Sequence, residues 1–145
     1  MHHGPKLVGR GSKERCLPHL SCEDSSTFRE WVLRFGLQAM EWEFDVKVGR
    51  DSPESCERGS EGWDYHRGLL CKRIDALCRS CSPWKVVEVK GRGTALALGQ
   101  LLLYRDLLAE QFPEARGCEL ILVCRTVDPD LERVLPRYGV RVVLL

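Results

Sequence analysis

The sequence has no asparagine and only two methionines among 145 residues. The lack of asparagine and the two methionines beside abundant arginine make a thermophile-like composition. It also has no apolar run near the roughly 20 residues that span a bilayer. The opening MHHGPKLVGRGSK lacks the apolar stretch of a signal peptide, so a cytoplasmic protein without membrane contact is expected. No sign of charge dominates: the net charge is +1, so bulk charge announces no polyanion partner and any such footprint must be local. The second tight cysteine pair of a zinc site is missing as well. Cys78 and Cys81 form a lone CxxC, and Cys16 and Cys22 stand apart from it. Eight cysteines are many for a reducing cytosol, where hyperthermophiles are the exception. Disulfides, buried thiols and zinc all stay open, and spacing does not assign the pairing.

The pattern of what is present predicts one domain. Residues 1–22 lean basic through Lys6, Arg10, Lys13 and Arg15, show no periodicity and read as an arm or loop. The domain proper then covers 23–145. Ser25, Ser26 or Thr27 can cap a helix, with Glu30 completing a capping box if Thr27 is the cap. Phe28, Trp31, Val32 and Phe35 give that helix an apolar stripe to about Gly36. Residues 40–48 alternate as a strand, 49–62 are loop by composition, and 69–78 and 84–90 are two further strands separated by the turn in CRSCSP. Gly91 and Gly93 are expected to break the third strand. A helix at 94–112 ends before Pro113, a buried strand covers 118–125, a short helix from Asp128 or Asp130 runs to Arg137, and a last strand covers 140–145. The order α-β-β-β-α-β-α-β predicts an antiparallel meander followed by a parallel crossover. The result is a mixed sheet of the α/β class flanked by helices.

Polar residues inside apolar strands carry the chemistry. Alternation along Val86-Val87-Glu88-Val89-Lys90 sets Glu88 and Lys90 on one face and the valines on the other. Asp75 interrupts Arg73-Ile74-Asp75-Ala76-Leu77, and pairing around the turn brings it beside Glu88. Two carboxylates can hold Mg²⁺ or Mn²⁺, with water and phosphate oxygens filling the other positions. Such an ion activates water and offsets phosphate charge, while Lys90 can orient the water or meet the developing charge. A salt-bridged pair on a solvated sheet face is the plainer reading. Beyond Lys90, the Gly-Arg-Gly step lets a phosphate backbone approach, with Arg92 as its contact. Gln100 and Tyr104, four apart on one helix face, interrupt an apolar run. The four tryptophans read as core or rim rather than base-stacking platforms. Trp63-Asp64-Tyr65-His66 sits in a loop that can touch nucleic acid.

These residues resemble the PD-(D/E)xK nuclease superfamily, whose fold is restriction-endonuclease-like. The match runs R-I-D at 73–75, E-V-K at 88–90 and Q-L-L-L-Y at 100–104, with the element order agreeing over about 25–145. Within the superfamily it resembles the RecB-like branch, and it also looks like the C-terminal nuclease domain of archaeal NucS-type enzymes. The resemblance implies a metal-dependent nuclease, with DNA as the expected substrate, in repair, recombination or defence. It implies Asp75, Glu88 and Lys90 as catalytic residues, Asp75 and Glu88 as metal ligands, and Gln100 and Tyr104 as aids in placing nucleic acid. An acidic residue on the first helix often joins the metal in that family, and Glu30 is the candidate here. The family's iron–sulfur members carry three cysteines after the Q-x-x-x-Y helix, and Cys118 and Cys124 are too few. Small members often form homodimers. The pattern departs from the family in having no proline before Asp75. A nucleic-acid-binding module, or a structural subunit whose activity depends on a partner chain, are the alternatives on the same fold.

Overall fold

The computed structural model describes residues 16–49 and 72–145. Its elements are α1 (Cys22–Arg34), β1 (Glu43–Val48), β2 (Lys72–Cys78), β3 (Lys85–Gly93), α2 (Ala95–Gln111), β4 (Glu119–Val127), α3 (Pro129–Val134) and β5 (Val140–Leu144), with short 3₁₀ turns after α2 and α3. The sheet order is β1-β2-β3-β4-β5. β1, β2 and β3 pair antiparallel, whereas β3, β4 and β5 run parallel. This is the mixed α/β sheet that the alternation of elements predicts. Residues 1–15 and the Trp63–His66 loop lie outside the described residues.

Two apolar layers sandwich the sheet. Phe28, Trp31 and Val32 of α1 pack with Ala76, Val87, Val89, Ile121 and Val123 on one face. Leu101, Tyr104 and Leu108 of α2, with Leu131 of α3, pack with Leu77, Val86, Leu120 and Leu122 on the other. The period-2 alternation of β3 and β4 is therefore intact, and the central parallel strands are buried on both faces. Trp31 and Trp42 are core residues and Trp84 packs against Phe112, as expected of packing aromatics.

Several boundaries differ from the sequence reading, each for a local reason. The cap of α1 is Ser21, whose hydroxyl accepts from the Asp24 N–H. Ser25 instead accepts from the Leu17 N–H, and Thr27 turns its hydroxyl back to the Glu23 carbonyl, so neither caps. Leu17 and Leu20 are buried and Cys16 is disulfide-bonded to Cys22, so 16–22 belong to the folded domain and not to an arm. Gly91 and Gly93 do not break β3. Pairing with β4 carries the strand through Gly93, where a Cβ would stand 3.0 Å from Leu122 and 3.2 Å from Val127. That glycine allows the close approach of the two strands.

One irregularity positions the site. Phe44 pairs with Ala76 and Val46 with Ile74, and Asp45 between them adopts a left-handed φ of 55°. Aspartate tolerates that conformation better than most residues. Phe44 and Ala76 face the α1 layer, yet Val46, Val48 and Ile74 join the α2 layer. The β1–β2 pair thus switches faces beside Asp75.

Candidate active site

Asp75 and Glu88 are buried, at 6% and 1% exposure. The antiparallel register pairs Cys78 with Lys85, Leu77 with Val86 and Ala76 with Val87. One step further along it sets Asp75 opposite Glu88. The backbone ladder stops there because the Val89 N–H donates to Asp75 Oδ2 at 2.8 Å. A side-chain carboxylate thus takes the place of a strand carbonyl. Lys90 reaches Glu88 Oε1 at 3.0 Å, and Glu88 Oε2 is buried with no hydrogen-bond partner.

The electrostatics follow from this crowding. Burial raises the Asp75 carboxyl to about 6, against the lowering effect of the Val89 N–H. Burial, and then the charge of Asp75, push Glu88 up to about 8. Near neutral pH the pair shares one proton. Burial works against the charge on Lys90, but the Glu88 carboxylate outweighs it and keeps the ammonium above its ordinary range. Burial and the charges of Glu88 and Asp75 also push the Tyr104 phenol well above its usual value, so it stays protonated. Gln100 Nε2 donates to the Tyr104 hydroxyl at 3.4 Å, while Gln100 Oε1 is buried without a partner.

The structure therefore gathers Asp75, Glu88, Lys90, Gln100 and Tyr104. Arg92 follows Lys90 on the same strand, paired in register with Thr126 and exposed. Glu30 is not gathered with them. Arg34 holds one of its oxygens at 2.9 Å and Arg125 of β4 engages the other, so its charge is spent on two arginines. The first-helix acid whose charge reaches Asp75 and Lys90 is Asp24. Its signal in the sequence was the S-x-x-D spacing of Ser21 and Asp24, which also marks the true cap. Arg73, two residues before Asp75, was likewise missed. It is nine-tenths buried, 3.5 Å from Asp45, with Nε and Nη2 lacking partners.

Two opposed buried carboxylates that share a proton beside a lysine fit a divalent cation, which would take the place of that proton. The protein supplies a pair here. Among the described residues no group of three His, Cys, Asp or Glu stands at metal-binding spacing. Cys118 is half-buried and Cys124 is buried in β4, both as free thiols. Among the described residues no helix is long and apolar enough to cross a membrane.

The fold and site define an α/β domain with a buried carboxylate pair and a lysine across the antiparallel edge of β3. No protein-family model matches the chain, and no curated protein does. Among solved structures it is similar to the crystal structure of a repair endonuclease from Pyrococcus abyssi, at 16% identity and a TM-score of 0.48 over 90% of this chain and 49% of that one. The chain spans about half the length of that enzyme.

Proposed function

We propose that the domain is a divalent-metal-dependent phosphodiester hydrolase acting on nucleic acid, with DNA as its substrate. The observation that carries this reading is the buried pair of Asp75 and Glu88 on facing strands, completed by Lys90. A structural ion pair needs one acid and one base. A second buried carboxylate beside them costs stability unless a proton or a cation joins.

Asp75 and Glu88 would hold Mg²⁺ or Mn²⁺. Such an ion, when bound, supplies Lewis-acid polarisation of the phosphoryl group. Val89 fixes the Asp75 carboxylate by its backbone N–H, so that ligand is oriented before binding. Lys90 is one-third exposed, so its ammonium is anchored on Glu88 yet open to a phosphate oxygen or to the attacking water. Charge that develops on the phosphate is then met at a preset position. Tyr104, kept protonated, and the free Gln100 carbonyl present a donor and an acceptor beside the same carboxylates. Arg92 adds a positive charge further along β3.

The test is incubation with labelled single-stranded, double-stranded and branched DNA, with RNA in parallel, under Mg²⁺, Mn²⁺ or EDTA. Cleavage of DNA that EDTA abolishes, and that Asp75→Ala and Glu88→Ala both lose, is the expected result. Cleavage that survives either variant removes the carboxylate pair from the reaction.

A further inference from the structure

The turn that joins β2 to β3 holds a second chemical feature, independent of the reaction proposed above. Cys78, the last residue of β2, is disulfide-bonded to Cys81 within the turn. Cys78 is fully buried at 0% exposure, whereas Cys81 lines an open cavity of about 540 Å³ with Ala39, Met40, Glu41, Ser80, Ser82 and Lys85. Sites of roughly 300–1,000 Å³ take small molecules. The hydroxyl of Ser80 lies 3.3 Å from Cys78 Sγ. A disulfide sulfur has no proton to give, so Ser80 is the donor.

We infer that Cys78–Cys81 is a thiol–disulfide exchange site for a low-molecular-weight thiol of peptide size, attacked at Cys81. Direction follows from access. The incoming thiolate reaches Cys81 Sγ through the cavity, while Cys78 Sγ is shielded by β2 and the α1 layer. The new bond joins the incoming sulfur to Cys81, and the bond between Cys81 and Cys78 breaks. The electron pair leaves on Cys78 Sγ, which takes up the proton that the incoming thiol gave up. One disulfide is exchanged for another, so no outside oxidant or reductant is needed. The Ser80 hydroxyl stabilises the leaving sulfur as charge develops on it, and a better-stabilised leaving thiolate departs faster. A loop closed over so few residues also gains little from the chain-entropy effect that makes long-loop disulfides structural. The turn carries the strand of Asp75 into the strand of Glu88, so exchange acts on the joint between them.

The experiment treats the folded full chain with reduced glutathione, quenches samples in acid at intervals, unfolds them in denaturant with excess iodoacetamide to trap every free thiol, and maps the peptides by mass. The expected early product carries glutathione on Cys81 and the trapping group on Cys78. Ser80→Ala should slow that step about fivefold, the kinetic equivalent of one net hydrogen bond. A Cys78→Ser variant treated with oxidised glutathione should take the adduct on Cys81 while folded. Glutathione found on Cys78, or equally on both, overturns the inference. So does a pair that stays closed in the folded chain, a rate unchanged by Ser80→Ala, or a Cys81 in the Cys78→Ser variant that takes no adduct.

Discussion

The backbone N–H of Val89 holds Asp75 Oδ2 at 2.8 Å, so the strand that carries Glu88 and Lys90 also grips the carboxylate of its neighbour. The catalytic candidates are thereby coupled through the sheet itself. Removing the acceptor leaves a buried N–H unsatisfied. Below about pH 6, where Asp75 bears no charge, Asp75→Ala is expected to lower stability by about 1–3 kcal/mol. Asp75→Asn keeps an oxygen for Val89 and should recover much of that stability without recovering metal binding. Thermal unfolding and calorimetric Mg²⁺ titration of both variants separate the two effects.

Stability under EDTA should depend on pH through the carboxylate pair. Asp75 moves from 3.8 to about 6 and Glu88 from 4.5 to about 8 on folding. The folded state therefore binds protons more tightly than the unfolded chain. The associated stability is fully present below the unfolded values and is lost as pH rises through about 6 and then about 8. Melting curves across that window should show the decline. Glu88→Gln should remove its upper part, and saturating Mg²⁺ should reverse it.

Metal binding should release a proton for the same reason. A cation takes the ionised pair, and the pair shares a proton at neutral pH. Apparent affinity should rise about tenfold per pH unit up to about 8 and then level off. Calorimetry in buffers of different ionisation enthalpy counts the proton. An affinity flat across that range contradicts a shared proton on the pair.

Lys90→Ala should abolish cleavage and leave metal binding intact or stronger. The ammonium contacts Glu88 and repels a cation, so its loss removes a transition-state contact and not a ligand. Gln100→Ala should reduce cleavage modestly by changing how the substrate lies. Cleavage at the parent rate by Lys90→Ala, with Mg²⁺ still required, would reduce the E-V-K match to coincidence.

Asp24 and Glu30 should separate cleanly. Glu30 is engaged by Arg34 and Arg125 at the surface, and Glu30→Ala should cost less than about 1 kcal/mol with no change in Mg²⁺ affinity. The charge of Asp24 reaches Asp75 and Lys90, so Asp24→Asn should weaken Mg²⁺ binding while the helix cap on Ser21 persists. Equal effects of the two variants on affinity would contradict the assignment.

Periodicity by itself determined the element order, the faces of Glu88 and Lys90, and the α2 position of Gln100 and Tyr104. Those features depend on spacing along one strand or one helix, which the chain carries locally. The pairing of Asp75 with Glu88 was also legible, because a short turn leaves few registers for two buried strands. The tertiary structure alone decided the rest. Glu30 was drawn to Arg125, a residue of β4 with no local signal, and Asp24 came toward the carboxylates because Ser21, not Thr27, caps α1. The passage of β3 through Gly93 depends on Leu122 and Val127 closing over the space a side chain would fill. The face switch at Asp45 and Asp75 depends on both strands at once, and so does the burial that raises both carboxylates. Burial and field are sums over residues distant in sequence, and they exist only once the sheet and its two layers have closed.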